Sequence, residues 1–162
     1  MLKRVERTKY MEYVLPDEPC VRSLAASIRG RNETESIDNV CKWIRENIVF
    51  DPEATILHPC DVLREGRGAC FSVSILATSL LRSLGLEEEK VFTIVALHRG
   101  ENPFNATHAT LLVFPDGVGM DRRALIINIL PEGILIETTL NEFLLTNIII
   151  IIFNDKIAYI ID

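Results

Sequence analysis

The segment Gly66-Arg67-Gly68-Ala69-Cys70 delivers a thiol to the start of a strongly patterned helix, read from Cys70 to Leu84 and closed by Gly85. A cysteine in that position has a defined chemistry. The free amides and the positive end of the helix dipole favour thiolate over thiol. The Cys70 backbone N–H faces the place where an oxyanion would form, so Cys70 is a candidate both as nucleophile and as oxyanion donor. The glycines just upstream would allow a substrate chain to pass close to the sulfur. A nearby imidazole would stabilise the thiolate and then pass a proton to a leaving group.

Three histidines are available. His108 opens the strand pattern Thr107-His108-Ala109-Thr110-Leu111-Leu112-Val113, where a side chain can be held at a fixed aim. A carboxylate that accepts from the ring would complete a thiol triad. Glu137, which ends the apolar run of Ile134-Leu135-Ile136, is the leading candidate, with Asp121 as the alternative. The expected site is therefore Cys70, His108 and Glu137. A zinc site built from His58, Cys60, Cys70 and His108 has suitable residue types, but their spacing matches no usual ligand pattern. No metal and no cofactor are expected. His58 and Cys60 read as part of the loop leading to Cys70, and His98 as a surface residue ending a strand.

The elements that must hold these groups fall into two halves. Asp17-Glu18-Pro19 starts a helix whose apolar face is Val21, Leu24, Ala25 and Ile28, and Gly30 ends it. Asn32 caps a second, with Ile37, Val40, Cys41, Ile44 and Ile48 at helical spacing. An irregular stretch from Asp51-Pro52 to Gly68 leads to the Cys70 helix. Val73, Leu76, Ala77, Leu80, Leu81 and Leu84 line one side of that helix, while Phe71 and Ile75 add a second apolar side. Such a helix is expected to lie centrally in the core. After Lys90 come short strands: Val91 to His98, Thr107 to Phe114, Ala124 to Leu130 and Ile134 to Thr138. Turns at Asn102-Pro103, Pro115-Asp116-Gly117 and Pro131-Glu132-Gly133 separate them. Ile148 to Phe153 and Lys156 to Ile161 flank a hairpin turn at Asn154-Asp155. Helices followed by consecutive strands is an α+β pattern with an antiparallel sheet.

Composition narrows the function classes. The chain has 162 residues, enough for one domain with a real core, expected to span 1–162. Thirteen of its twenty isoleucines lie from Ile126 onward, which favours sheet in that half. The net charge of −6, without a basic stripe, argues against nucleic acid as a partner. No apolar run approaches the ~20 residues needed to span a bilayer, and the basic head (Lys3, Arg4, Arg7, Lys9) lacks an apolar stretch behind it. From this a cytoplasmic location is expected, with Cys20, Cys41, Cys60 and Cys70 as reduced thiols and the head a frayed terminus. Cys41 reads as a small core hydrophobe, and Cys20 has no evident chemical partner. The Ile148–Ile161 hairpin is expected to be buried, with a dimer edge as the alternative.

These features together resemble the transglutaminase-like core of the papain-like cysteine-enzyme superfamily. The resemblance runs from about Cys20 to Thr139 and leaves 140–162 as a C-terminal hairpin extension. It is carried by Trp43-Ile44-Arg45-Glu46-Asn47-Ile48, by Gly66 to Cys70, by Leu80-Leu81-Arg82-Ser83-Leu84-Gly85-Leu86, by His108-Ala109 and by Glu137-Thr138-Thr139. It implies an α+β papain-like fold and a Cys70, His108, Glu137 triad. It also implies attack on a peptide-type or Gln-type amide of a peptide or protein through a thioester, with hydrolysis or acyl transfer to follow. Two positions depart from the family pattern. Thr110 stands where an aromatic often follows His-Ala, and Glu-Thr-Thr stands where Asp-Pro-Thr is usual. Those departures motivate a second reading, a non-catalytic peptide- or protein-binding module that keeps the fold.

Overall fold

Helix α4 (Cys70–Ser83) forms because a long stretch of Leu, Ile, Val and Ala is interrupted only by small hydroxyl residues that can be buried. Ser74, Thr78 and Ser79 lie inside with them, and the Thr78 and Ser79 hydroxyls return to the backbone or meet a hydroxyl across the layer. Thr78 Oγ1 donates to the Ser74 carbonyl at 2.9 Å and lies 2.9 Å from Thr93 Oγ1 on the sheet. Ser79 donates to the Ile75 carbonyl. The helix is thus wrapped on more than one side, as its two apolar faces predict. In the computed structural model, which describes residues 1–100 and 107–162, α4 packs on a seven-stranded antiparallel sheet. The expected turn at Asn102-Pro103 lies outside the described residues.

The sheet is built from β1 (Leu2–Val5), β4 (Val91–His98), β5 (His108–Val113), β6 (Ala124–Asn128), β7 (Ile134–Thr138), β8 (Asn147–Phe153) and β9 (Ala158–Ile161), in the order β1-β9-β8-β4-β5-β6-β7. On its α4 side lie α1 (Pro19–Ile28), α2 (Glu33–Asn47) and α3 (Pro59–Glu65). Their apolar faces form one cluster with Leu76, Leu80, Leu111 and Ile127. The opposite face buries Phe92, Ile94, Leu112, Phe114 and Ile126 under Leu140 of the short helix α5 (Leu140–Phe143). The protein is α+β, with helices against a large antiparallel sheet.

Several expectations are corrected here. The basic head is not frayed: β1 pairs with β9 from Leu2↔Ile161 to Val5↔Ala158. Four residues are too few to show a strand period, yet the open edge of β9 supplies their partners. The Ile-rich run is buried only in part: β8 pairs with β4 along its length, and with β9 only at Ile152 and Phe153. Ile149, Ile151 and Ile152 are buried, while Ile148 and Ile150 remain exposed. The hairpin is therefore part of the sheet's middle. Its turn is held by Asn154, fully buried, which donates to the Glu88 and Val91 carbonyls and accepts from the Lys156 and Ile157 amides.

The third correction concerns the thiols. Cys20 and Cys60 form a disulfide across a Cα–Cα distance of 5.8 Å and tie the start of α1 to the start of α3. Only Cys41 and Cys70 are free. The two helix starts meet in space, a relation that a separation of 40 residues does not reveal. Disulfides persist in oxidising compartments and inside hyperthermophiles, so lack of a leader-like pattern does not imply reduced thiols. No helix among the described residues is long and apolar enough to cross a membrane. Replacing Cys20 and Cys60 together by serine should lower the unfolding free energy by about 4 kcal/mol, the loop-closure value for a cross-link over this separation. Denaturant titration with and without dithiothreitol checks this; identical midpoints for the wild type would remove the bridge from the stability account.

Candidate active site

The loop that carries Cys70 is anchored before it reaches the helix. Gly66 takes the left-handed conformation (φ 66°) that ends α3. Arg67 and Gly68 then form β3 (Arg67–Gly68), paired in parallel with β2 (Val49–Phe50) at the end of α2. Arg67 also holds Asp51 at 2.6 Å and Glu65 at 3.1 Å. That hydrogen bond to Arg67 keeps the Asp51 carboxyl below its ordinary pKa. Gly68 is buried, and a Cβ there would meet the Ser72 Cβ at 2.7 Å. Its smallness therefore serves helix-to-loop packing. Ser72 completes the anchor by donating to the Ile56 carbonyl at 2.5 Å and accepting from the Ala69 amide at 3.1 Å.

At the N-cap of α4 stands Ala69, whose side chain offers no capping hydrogen bond. A Ser, Thr, Asp or Asn there would accept from the first-turn amides. With alanine, those amides stay directed at Cys70 and whatever binds beside it. Cys70 is half-buried, and burial by itself raises its pKa. A hydrogen bond from the His108 imidazole, another from the Ala109 amide, the charge of the His108 ring and a bond from the Phe71 amide together reverse that. The thiol ends below its ordinary value. Cys41 shows what burial does unopposed: its thiol is pushed up to about 12. The thiolate is thus favoured at one free cysteine, and the other is kept neutral.

The structure brings Cys70 and His108 together and leaves Glu137 elsewhere. His108 is the first residue of β5 and pairs with Ala96 of β4. Glu137 lies opposite Leu125, which lies opposite Val113 at the far end of β5. Strands β5 and β7 run in the same direction because each is antiparallel to β6, so the start of one and the end of the other are at opposite ends of the sheet. The offset is five residues along the strand, roughly 17 Å. Glu137 is exposed and pairs with Arg123 at 3.0 Å. Asp121 lies at the same far end and is hydrogen-bonded to Asn141. Of the zinc alternative's four residues, Cys60 is committed to the disulfide. His58 caps α3, accepting from the Cys60 amide, with Glu18 beside its other ring nitrogen.

The register points instead to the end of β6. Leu111 pairs with Ile127, so the next step places Asn128 opposite Thr110, diagonal to His108. Ile127 and Ile129 face the helical layer, which turns Asn128 to the other face with Ile126. On that same face His108, Thr110 and Ile126 line a hollow of about 360 Å³ together with Ala96, His98, Phe143 and Asn147. Asn128 was not singled out in the sequence, where it is one polar residue among isoleucines. The usable signal was its interruption of Ile126-Ile127-Asn128-Ile129 at the end of the strand that follows the His108 strand.

Residues 22–118 match the model of the Transglutaminase-like superfamily, a span that contains Cys70 and His108 and stops before Glu137. A 69-residue segment is 33% identical to UPF0252 protein PF0978 of Pyrococcus furiosus, covering 41% of this chain but only 21% of that protein's length. Among solved structures, LapG of Legionella pneumophila superposes with a TM-score of 0.65 at 14% identity, over 94% of this chain and 86% of LapG. A candidate cysteine protease from Cytophaga hutchinsonii gives a TM-score of 0.56 at 16% identity, over 82% of this chain and 47% of that one. At such identities the structural likeness speaks for the fold alone. A further LapG structure is calcium-bound. Among the described residues here, no three His, Cys, Asp or Glu side chains converge as a metal site requires. The family match covers more than half of the chain and includes the thiol–imidazole pair at its helix start, so this protein belongs to the Transglutaminase-like superfamily.

Proposed function

We propose that the protein is a thiol amidase or peptidase that cleaves a peptide-type amide through a thioester on Cys70. The observation carrying this reading is the hydrogen bond from His108 to a Cys70 thiol at the open amide end of α4. Cys70 sulfur adds to the amide carbonyl carbon, and the carbonyl electron pair moves to oxygen, where the Cys70 N–H accommodates it. Collapse breaks the carbon–nitrogen bond, and the leaving nitrogen takes the proton from the His108 imidazolium. A water then adds to the thioester and gives its proton to His108. The carbon–sulfur bond breaks, the acid leaves, and the thiolate–imidazolium pair returns. An amine in place of that water would give acyl transfer; hydrolysis is favoured because water is always present.

In this scheme Asn128 is the positioning residue. Asn128 stands diagonal to His108 across β5 and β6, from where its amide oxygen would accept from the imidazole. A neutral amide sets the tautomer and aim of the ring without adding charge to it. Asn128→Ala is expected to lower kcat roughly tenfold or more with little change in KM, and Asn128→Asp to restore most of it. Glu137→Ala should stay within about twofold of the wild type, since a surface ion pair contributes little. The reverse pattern would return the orienting role to Glu137.

The thiol itself can be tested without a known substrate. A depressed pKa means that thiolate, and hence alkylation by iodoacetamide, is fully present above that pKa and is lost as pH falls through it. The Cys70 rate should therefore fall off at a lower pH than that of an ordinary thiol, while Cys41 stays unreactive until the protein unfolds. His108→Ala should move the Cys70 limb upward, because burial is then opposed only by the Ala109 and Phe71 amides. An acyl adduct on Cys70 that hydroxylamine removes and Cys70→Ala abolishes would establish the thioester. An unshifted limb in the wild type would favour the peptide-binding module instead.

A further inference from the structure

The hollow beside His108 has no role in anchoring the nucleophile, and its position relative to the proton donor suggests a use. His108 opens β5 at the end of the sheet, where it both bonds the Cys70 sulfur and lines the hollow, so the hollow adjoins the imidazole. In amide cleavage the group that protonates the departing nitrogen must lie on the leaving-group side of the reacting carbon. The residue that begins at that nitrogen therefore extends past the imidazole, and its side chain lies about one residue from the sulfur, a reach of roughly 3.5 Å.

Resting on the reading above, we propose that this hollow is the subsite for the side chain of the leaving-group residue, and that it selects an uncharged, mainly apolar side chain of Leu to Phe size. Ala96, Ile126 and Phe143 supply apolar walls, and Ile126 belongs to the core of that face. Thr110, Asn147 and His98 add polar atoms. No Asp, Glu, Lys or Arg is among these described lining residues, so a charged side chain would lose its hydration with no opposite charge among them except the His108 imidazolium, which is already matched by the thiolate. A volume of about 360 Å³ is at the small end of ligand pockets and suits one side chain better than a whole cofactor. Thr110 is the gate to this space. It is buried on β5, two residues from His108, at the position where an aromatic would fill the hollow.

The test is a synthetic peptide library with every position randomised, digested by the intact protein and read by labelling the new N-termini of the products. Wild type is expected to release fragments that begin with Leu, Ile, Met or Phe at least tenfold more often than with Asp, Glu, Lys or Arg. Thr110→Phe should shift that first residue towards Gly and Ala, lowering the Leu-to-Gly ratio of kcat/KM at least tenfold. Phe143→Ala should move it the other way, admitting Trp. A first-residue preference that neither variant changes, or a preference for charged residues, overturns the subsite. Cys70 alkylation is followed in the same samples. An activated Cys70 with no cleavage of any library peptide also overturns the subsite, whereas a Cys70 without enhanced reactivity overturns the enzymatic reading on which it rests.

Discussion

Burial of α4 against the sheet is the constraint from which the site follows. A helix whose residues Ser72 to Leu81 are all buried cannot slide or rotate without opening the main core. Its first turn is therefore delivered to one place, the start of β5, where the Ala109 amide and the His108 ring reach the Cys70 sulfur. The far end is held by Arg82, which donates to Asp155 in the β8–β9 turn at 2.7 Å and to the Leu86 carbonyl. Alignment of the thiol with the imidazole and packing of the core depend on the same contact surface here. A cavity in α4's apolar face would cost stability, and it would also loosen the distance between thiol and imidazole.

The electrostatics of Cys70 show opposing effects resolved by number. Burial is the largest single influence and works against ionisation; two amide donors and a hydrogen-bonded imidazole outweigh it together. Cys41 lacks that set and goes the other way. Ala69 at the N-cap belongs to the same balance, since a capping side chain would have used amides that instead face the thiol. The loop glycines serve this arrangement indirectly, one ending α3 and one letting Ser72 close on the loop.

Much of this was legible in one dimension. The helices at Pro19, Asn32 and Cys70 announced themselves through proline, a capping asparagine and a long apolar stripe. Strands β4 and β7 run over the residues expected of them, Val91–His98 and Ile134–Thr138. What escaped was short or depended on a partner: β1, the two-residue pairing of β2 with β3, α3, and α5. Elements of two to seven residues carry too little pattern to be read, and they exist because a neighbour supplies hydrogen bonds or a surface.

The site divides along the same line. The sequence by itself determined that a thiol opens the most buried helix and that a histidine opens a later strand, since both are local facts of residue order and periodicity. Pairing those two, and separating them from Glu137, was decided only by the tertiary structure. Strand direction alternates in an antiparallel sheet, so an acid at the end of a strand two places on is carried to the wrong end, while Asn128 is carried to the right one. The Cys20–Cys60 bridge is of the same kind. Chain order records which residues exist and which are neighbours along the chain; direction, register and helix docking decide which of the distant ones meet.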